Sequence, residues 1–164
     1  DLFEKSVSEK WPLVAEMLSN YKKVYQSDNK IGELLYRIHE IYWSGPESID
    51  VNEIDYIRFK LYQDYEDILT RLDDKINSLF LMNNLFKNIL MSYFKLNNLW
   101  VPKDKKILNI LHERDNDLFS LCNSFIMENN IEKKLDLLSE ILRCVLIPFG
   151  GCLKHWEKGK FPVK

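Results

Sequence analysis

Glycine and proline are scarce in this chain, with five of each in 164 residues. Turn-rich β architectures and disordered linkers use more of both, so the shortage favours a helical protein. Long hydrophobic runs are also missing, because stretches such as residues 79–82 and 145–149 end well short of the roughly 20 residues that a membrane-spanning helix needs. No secretory signal peptide is visible either. The sequence therefore predicts no membrane partner.

Cysteine is equally rare. The three cysteines, Cys122, Cys144 and Cys152, are an odd number at irregular spacing, which argues against a disulfide framework and predicts free thiols in a reducing, cytoplasmic setting. We interpret Cys122 and Cys144 as small core residues. Cys144, Cys152 and His155 supply three potential metal ligands, but no paired Cys-x-x-Cys accompanies them, so we predict no metal site.

An excess of charge of one sign is absent as well. The chain has 25 acidic and 23 basic residues and a formal net charge of -2, so it has no global field that would attract nucleic acid. There is no Gly-rich phosphate loop, Ser-His-Asp set or His-Glu-x-x-His motif. Asp115-Asn-Asp117 has the spacing of a metal-binding Asp-x-Asp pair, but it precedes an apolar helical run and is better explained by helix caps. We therefore expect no catalytic residue, metal or cofactor in this chain itself.

Apolar residues, 46% of the chain, recur at helical spacing along nearly its whole length. We predict one all-α domain over residues 1–164, an irregular bundle of about six helices around two long antiparallel ones. Leu61, Phe86, Leu138 and Leu142 are predicted to be buried. The predicted helices begin at Trp11-Pro12, near Ile31, after Asp50, after Asp73-Asp74, at Lys103, after Asp115-Asn-Asp117 and at Asn130; the last ends at Pro148 and Gly150-Gly151.

The most specialised segment runs from Tyr93 to Lys106, where an apolar helix stops, turns through Trp100-Val-Pro102 and restarts with lysines. Pro102 forbids a continued helix, so Trp100 is predicted to sit on a stiff corner, at least partly accessible and near Lys105. Such a corner could receive a planar or anionic partner. The alternative is that Trp100 plugs the end of the bundle and the lysines form a solvated face.

A second group of charged residues lies on the first long helix. The spacing of Asp64, Asp67 and Arg71 predicts that they lie near one another, with Arg58 further back along the helix. An ion-pair network is the simpler interpretation. A catalytic carboxylate pair would also need a cleft and a metal or sugar partner, which nothing else in the sequence supplies.

These segments occur in a familiar order. The helix Ile57-Arg-Phe-Lys-Leu-Tyr-Gln-Asp-Tyr-Glu-Asp67 is followed by Tyr93 through Trp100-Val-Pro-Lys-Asp-Lys105, and then by Ile147-Pro-Phe-Gly-Gly151 and Trp156. The ordered combination resembles the helical C-terminal region of bacterial nucleotidyltransferase-domain proteins of the DNA polymerase beta superfamily, the group that includes aminoglycoside-type nucleotidyltransferases. The resemblance covers roughly residues 25 to 157.

The resemblance implies a helical domain that closes one side of a substrate cleft, without the Gly-Ser turn and Asp-x-Asp strand of the catalytic domain. It implies a nucleotidyltransferase catalytic domain as partner, in cis or in trans, so that the chain is a fragment or partner of a larger protein. Mg and nucleotide triphosphate enter only with that domain. The candidate binding residues are Arg58, Asp64, Asp67, Tyr93, Trp100 and Lys105.

Other functions are left open by the sequence. A stand-alone helical interaction or regulatory module is the main alternative, and homo-oligomerisation is compatible with either interpretation. A helical ribonuclease of the HEPN type is a third class, but its Arg-x4-6-His signature is absent from the chain.

Overall fold

The computed structural model describes residues 29–156 and shows an all-α bundle, as predicted. The described residues form α1 (Asn29–Ser44), α2 (Val51–Leu69), α3 (Lys75–Leu96), α4 (Asp104–Arg114), α5 (Asn116–Met127) and α6 (Ile131–Leu146), followed by a 3₁₀ helix (Ile147–Phe149). No strand occurs between residues 29 and 156. The helix predicted at Trp11-Pro12 lies outside the described residues.

Four of the helices, α2, α3, α5 and α6, begin where a short polar side chain satisfies a backbone N–H group of the first turn, which confirms the predicted caps. Each capping side chain accepts a hydrogen bond from the backbone N–H three residues further on: Asp50 from Glu53 at 2.8 Å, Asp74 from Asn77 at 3.2 Å, Asp115 from Leu118 at 3.0 Å and Asn130 from Lys133 at 3.0 Å. Asp115 is therefore a cap rather than half of a strand-borne carboxylate pair.

The core is organised around α3, which packs against α2 and α6 and whose Met82 and Ile89 are fully enclosed. Three of the four predicted core residues, Leu61, Leu138 and Leu142, are buried. Phe86 is only partly buried, because its ring lies at the edge of the core, stacked on Phe125 with the ring centroids 4.5 Å apart. Residues 70–74 connect the two long helices α2 and α3.

One charged side chain is also buried in the bundle. The Lys134 ammonium group, on the first turn of α6, donates hydrogen bonds to the carbonyl oxygens of Phe125 at 2.7 Å and Glu128 at 3.1 Å. It also lies 4.4 Å from the centroid of the Phe125 ring. Lys134 therefore satisfies carbonyl groups at the end of α5 and holds α5 against α6.

Candidate functional site

The predicted corner connects α3 to α4 through residues 97–103, with Asn98 in a left-handed conformation at φ 53°. The indole Nε1 of Trp100 donates a hydrogen bond to the carbonyl oxygen of Tyr42 at 2.9 Å. The two rings stack in nearly parallel planes with their centroids 6.3 Å apart. Trp100 therefore attaches the corner to the end of α1, while part of its side chain remains accessible, as predicted.

Exposed lysines follow Trp100 in the sequence, after Val101 and Pro102. Lys103 precedes α4, and Lys105 and Lys106 lie on its first turn; all three are exposed. The acidic residue of this turn, Asp104, pairs with Lys87 of α3 at 2.6 Å, so its charge is balanced locally. The N-terminus of α4 adds a partial positive charge. We call this surface, formed by Trp100, Lys103, Lys105 and Lys106, the basic corner.

Tyr93 lies in a separate cleft of about 250 Å³ between the end of α3, the start of α5 and the end of α6. Burial raises the pKa of the Tyr93 hydroxyl, and the charge of the Asp115 carboxylate and its hydrogen bond with the Tyr93 side chain raise it further. Asp115 thus caps α5 and also holds Tyr93. The sequence predicted the cap but not the contact with Tyr93, because that contact depends on how α3 and α5 pack.

The prediction that Cys144 lies in the core is wrong. Cys144 was expected in the core, but its side chain is exposed on α6, where it lines the cleft. The helical period places neighbouring Val145 and Leu146 inward, which turns Cys144 outward. Cys122 is buried as predicted, and all three thiols are free.

Arg58 holds the end of the bundle together. Its guanidinium donates to the carbonyl oxygens of Gly151 at 2.7 Å and Gly150 at 2.8 Å, and to the Asp55 carboxylate at 2.7 Å. Only 15% of its side chain is exposed. The segment that follows continues along α2, where the ring of Trp156 packs against those of Tyr56 and Phe59. The contacts of Arg58 are those of a structural residue that fastens residues 150–151 to α2.

Asp64 and Asp67 are engaged in two different ion pairs rather than one network. Asp67 pairs with Arg71 at 3.4 Å, as the spacing predicted, whereas Asp64 pairs with Lys60 beside a small groove between α2 and α3. Exposed pairs of this kind contribute little to stability. Within residues 29–156, no group of three or more His, Cys, Asp or Glu side chains is placed to hold a metal ion.

The six candidate residues therefore occupy several places rather than one site. Arg58, Asp64 and Asp67 lie along α2, Tyr93 lines its cleft, and Trp100 and Lys105 belong to the basic corner. Only the last two belong to one short segment, in which a partly accessible aromatic ring is followed by exposed lysines.

One surface was missed by the sequence analysis. At the connection between α2 and α3, Ile76 is 83% exposed and Phe80 is 63% exposed, beside a groove of about 590 Å³. The apolar pattern of α3 is wider than the face that α2 and α6 cover, so part of the predicted stripe lies in solvent. The sequence showed that the apolar stripe of α3 is wide, but it did not show which residues of the stripe remain exposed.

The chain shows no significant match to any protein-family model, curated protein or solved structure. None of the helices between residues 29 and 156 has the length and apolar character needed to cross a membrane.

Proposed function

We propose that this chain is a non-catalytic helical domain that docks onto a nucleotidyltransferase catalytic domain, in cis or in trans, as its substrate-facing or assembly portion. The observation that carries the proposal is the basic corner, where exposed Lys103 and Lys105 flank the start of α4 close in sequence to a partly accessible Trp100. The ordered resemblance of the sequence to the helical region of such proteins supports the same assignment.

The charge at the corner favours an anionic partner. A nucleotidyltransferase domain holds nucleotide triphosphate at its cleft, and the phosphates of that ligand are the anionic groups that the corner would face. Lys105 and Lys103 would meet such groups with charge-assisted hydrogen bonds, strengthened by the N-terminus of α4. The ring of Trp100 is held in one orientation by Tyr42, so little conformational entropy is lost when a partner covers it.

The positions of Asp115 and Asp117 support a non-catalytic role. The Asp115 carboxylate interacts with the backbone N–H of Leu118 and with Tyr93, and Asp117 lies in the first turn of α5 rather than on a strand. We expect calorimetry with Mg²⁺ and ATP to detect no binding to the isolated chain. Micromolar binding that is lost on changing Asp115 and Asp117 to asparagine would contradict the proposal.

The docking itself can be tested with the catalytic domain encoded in the same gene or beside it. Calorimetry should show Lys105→Glu weakening the complex by about tenfold or more, because a favourable charge is replaced by a repulsive one. Lys133→Glu is the matched control, since Lys133 is also an exposed lysine on the first turn of a helix. Both variants should keep the free energy of unfolding within about 0.5 kcal/mol.

Equal binding by both variants, or the absence of any nucleotidyltransferase domain from the gene and its neighbours, would contradict the proposal.

The second candidate function, a stand-alone helical interaction module, is favoured by a different observation, the exposed Ile76 and Phe80.

A further inference from the structure

Four large apolar side chains are exposed at or near the connection between α2 and α3. Ile76 and Phe80 are four residues apart on α3, so their side chains lie on the same face, one turn apart. Leu69 and Leu72, at the end of α2 and in the turn, are also exposed by more than a third. Isolated exposed apolar residues are common, but a contiguous group marks an interaction surface.

Hydrogen bonds within the turn between α2 and α3 fix the backbone beneath this surface. The Ser78 hydroxyl is buried and donates to the carbonyl oxygen of Arg71 at 2.6 Å, while the backbone N–H of Asp74 donates to the same carbonyl at 3.0 Å. Asp74 in turn caps α3 through Asn77. A partner would meet a preorganised surface with a groove of about 590 Å³ beside Phe80, so binding would cost little ordering of the turn.

The rim of this surface carries charges of both signs. Asp73 and Lys75 are both exposed, lie two residues apart, and form no ion pair with another residue between 29 and 156. Arg71 lies beside them and is partly balanced by Asp67. Asp74 is exposed as well, but its carboxylate is engaged in capping α3. Asp73 and Lys75 are therefore the acidic and basic groups free to meet a partner, and such a pair complements a copy of itself, because a two-fold interface places residue i against j and j against i.

We propose that this surface, which we call the turn face (Leu72, Asp73, Lys75, Ile76 and Phe80), is covered by the turn face of a second copy of the chain. Ile76 and Phe80 of the two copies pack together at the centre. Lys75 of each copy lies opposite Asp73 of the other. The proposal does not depend on the basic corner, which lies at the other end of α3, beyond Leu96.

Sedimentation equilibrium of the full chain over a wide concentration range tests the proposal. The wild-type chain should show a reversible monomer–dimer equilibrium. Phe80→Asp removes two rings from each dimer and should raise the dissociation constant by about 100-fold or more. Val51→Asp is the control, because Val51 is 71% exposed at the other end of α2, about 27 Å along the helix axis from Leu69, and should leave the equilibrium unchanged.

A charge exchange tests the predicted pairing. Lys75→Asp and Asp73→Lys should each weaken the dimer by about tenfold, because each places like charges opposite one another twice per dimer. The double variant Asp73→Lys/Lys75→Asp should recover most of the affinity. A wild-type chain that is monomeric at every concentration, a dimer that survives Phe80→Asp, or a double variant no better than the single ones would overturn the proposal.

The two proposals fail separately. Lys105→Glu should leave the dimer intact, and Phe80→Asp should leave binding of the catalytic domain intact. If either variant lost both dimerisation and binding of the catalytic domain, the turn face and the basic corner would not be independent surfaces.

Discussion

The contacts of the buried Lys134 ammonium group allow the stability change of a substitution to be predicted. Lys134→Met keeps a side chain of similar length but removes the hydrogen bonds to the carbonyl oxygens of Phe125 and Glu128. Each hydrogen bond from a charged donor contributes about 1.5–3 kcal/mol, but the substitution also removes the cost of burying the charge. We therefore expect a net loss of about 2 kcal/mol in the free energy of unfolding, measured by urea denaturation.

The matched control is Lys133→Met, which changes an exposed neighbour on the same turn of α6 and should cost less than about 0.5 kcal/mol. If Lys134→Met is as stable as this control, or more stable, then the hydrogen bonds to the end of α5 do not offset the burial of the charge, contrary to this prediction.

The pH dependence of the same variant gives an independent check. Burial lowers the pKa of Lys134 below its ordinary value of 10.5. Between the folded-state pKa and 10.5 the unfolded chain binds more protons, so this group makes the wild-type free energy of unfolding rise with pH. Relative to Lys134→Met, the wild-type chain should gain stability as the pH rises through this window. A difference that stays constant or falls would contradict the burial of the charged group.

Two further predictions concern the end of the chain and its thiols. Gly150→Ala should lower the free energy of unfolding by about 2 kcal/mol or more, because φ is 100° and a Cβ would lie 3.0 Å from the Arg58 guanidinium. Gly151→Ala should cost less, because its φ is 74° and a Cβ there would meet open space. Thermal denaturation of the two variants measures both losses. Equal losses would show that contact with Arg58 is unimportant. Burial raises the pKa of Cys122 to about 12, so a thiol reagent at pH 8 should modify Cys122 only after the chain is unfolded. Modification of all three cysteines in the native chain would contradict the packing.

The features that the sequence predicted well are local ones. Asp50, Asp74, Asp115 and Asn130 cap helices because each interacts with a backbone N–H only three residues away, and such short-range contacts leave a signature in the sequence. The Trp100 corner was predictable for the same reason, since Pro102 acts on its immediate neighbours.

The features that the sequence did not reveal depend on contacts between distant segments. Arg58 meets Gly150 and Gly151 across more than half of the chain, so its spacing on α2 suggested a charged cluster rather than a fastening for the last turn. Lys134 has the same pattern as any surface lysine until α5 and α6 are packed. The exposure of Phe80 likewise depends on which part of α3 its neighbours cover.

The most direct test of the proposed docking is hydrogen–deuterium exchange of the full chain with and without the proposed partner, a nucleotidyltransferase catalytic domain taken from the same gene or its neighbours. We predict slower amide exchange in residues 97–106 on complex formation, where the basic corner would meet its partner, and no change in residues 70–80. Protection confined to residues 70–80, or no protection anywhere at saturating catalytic domain, would contradict the proposed docking.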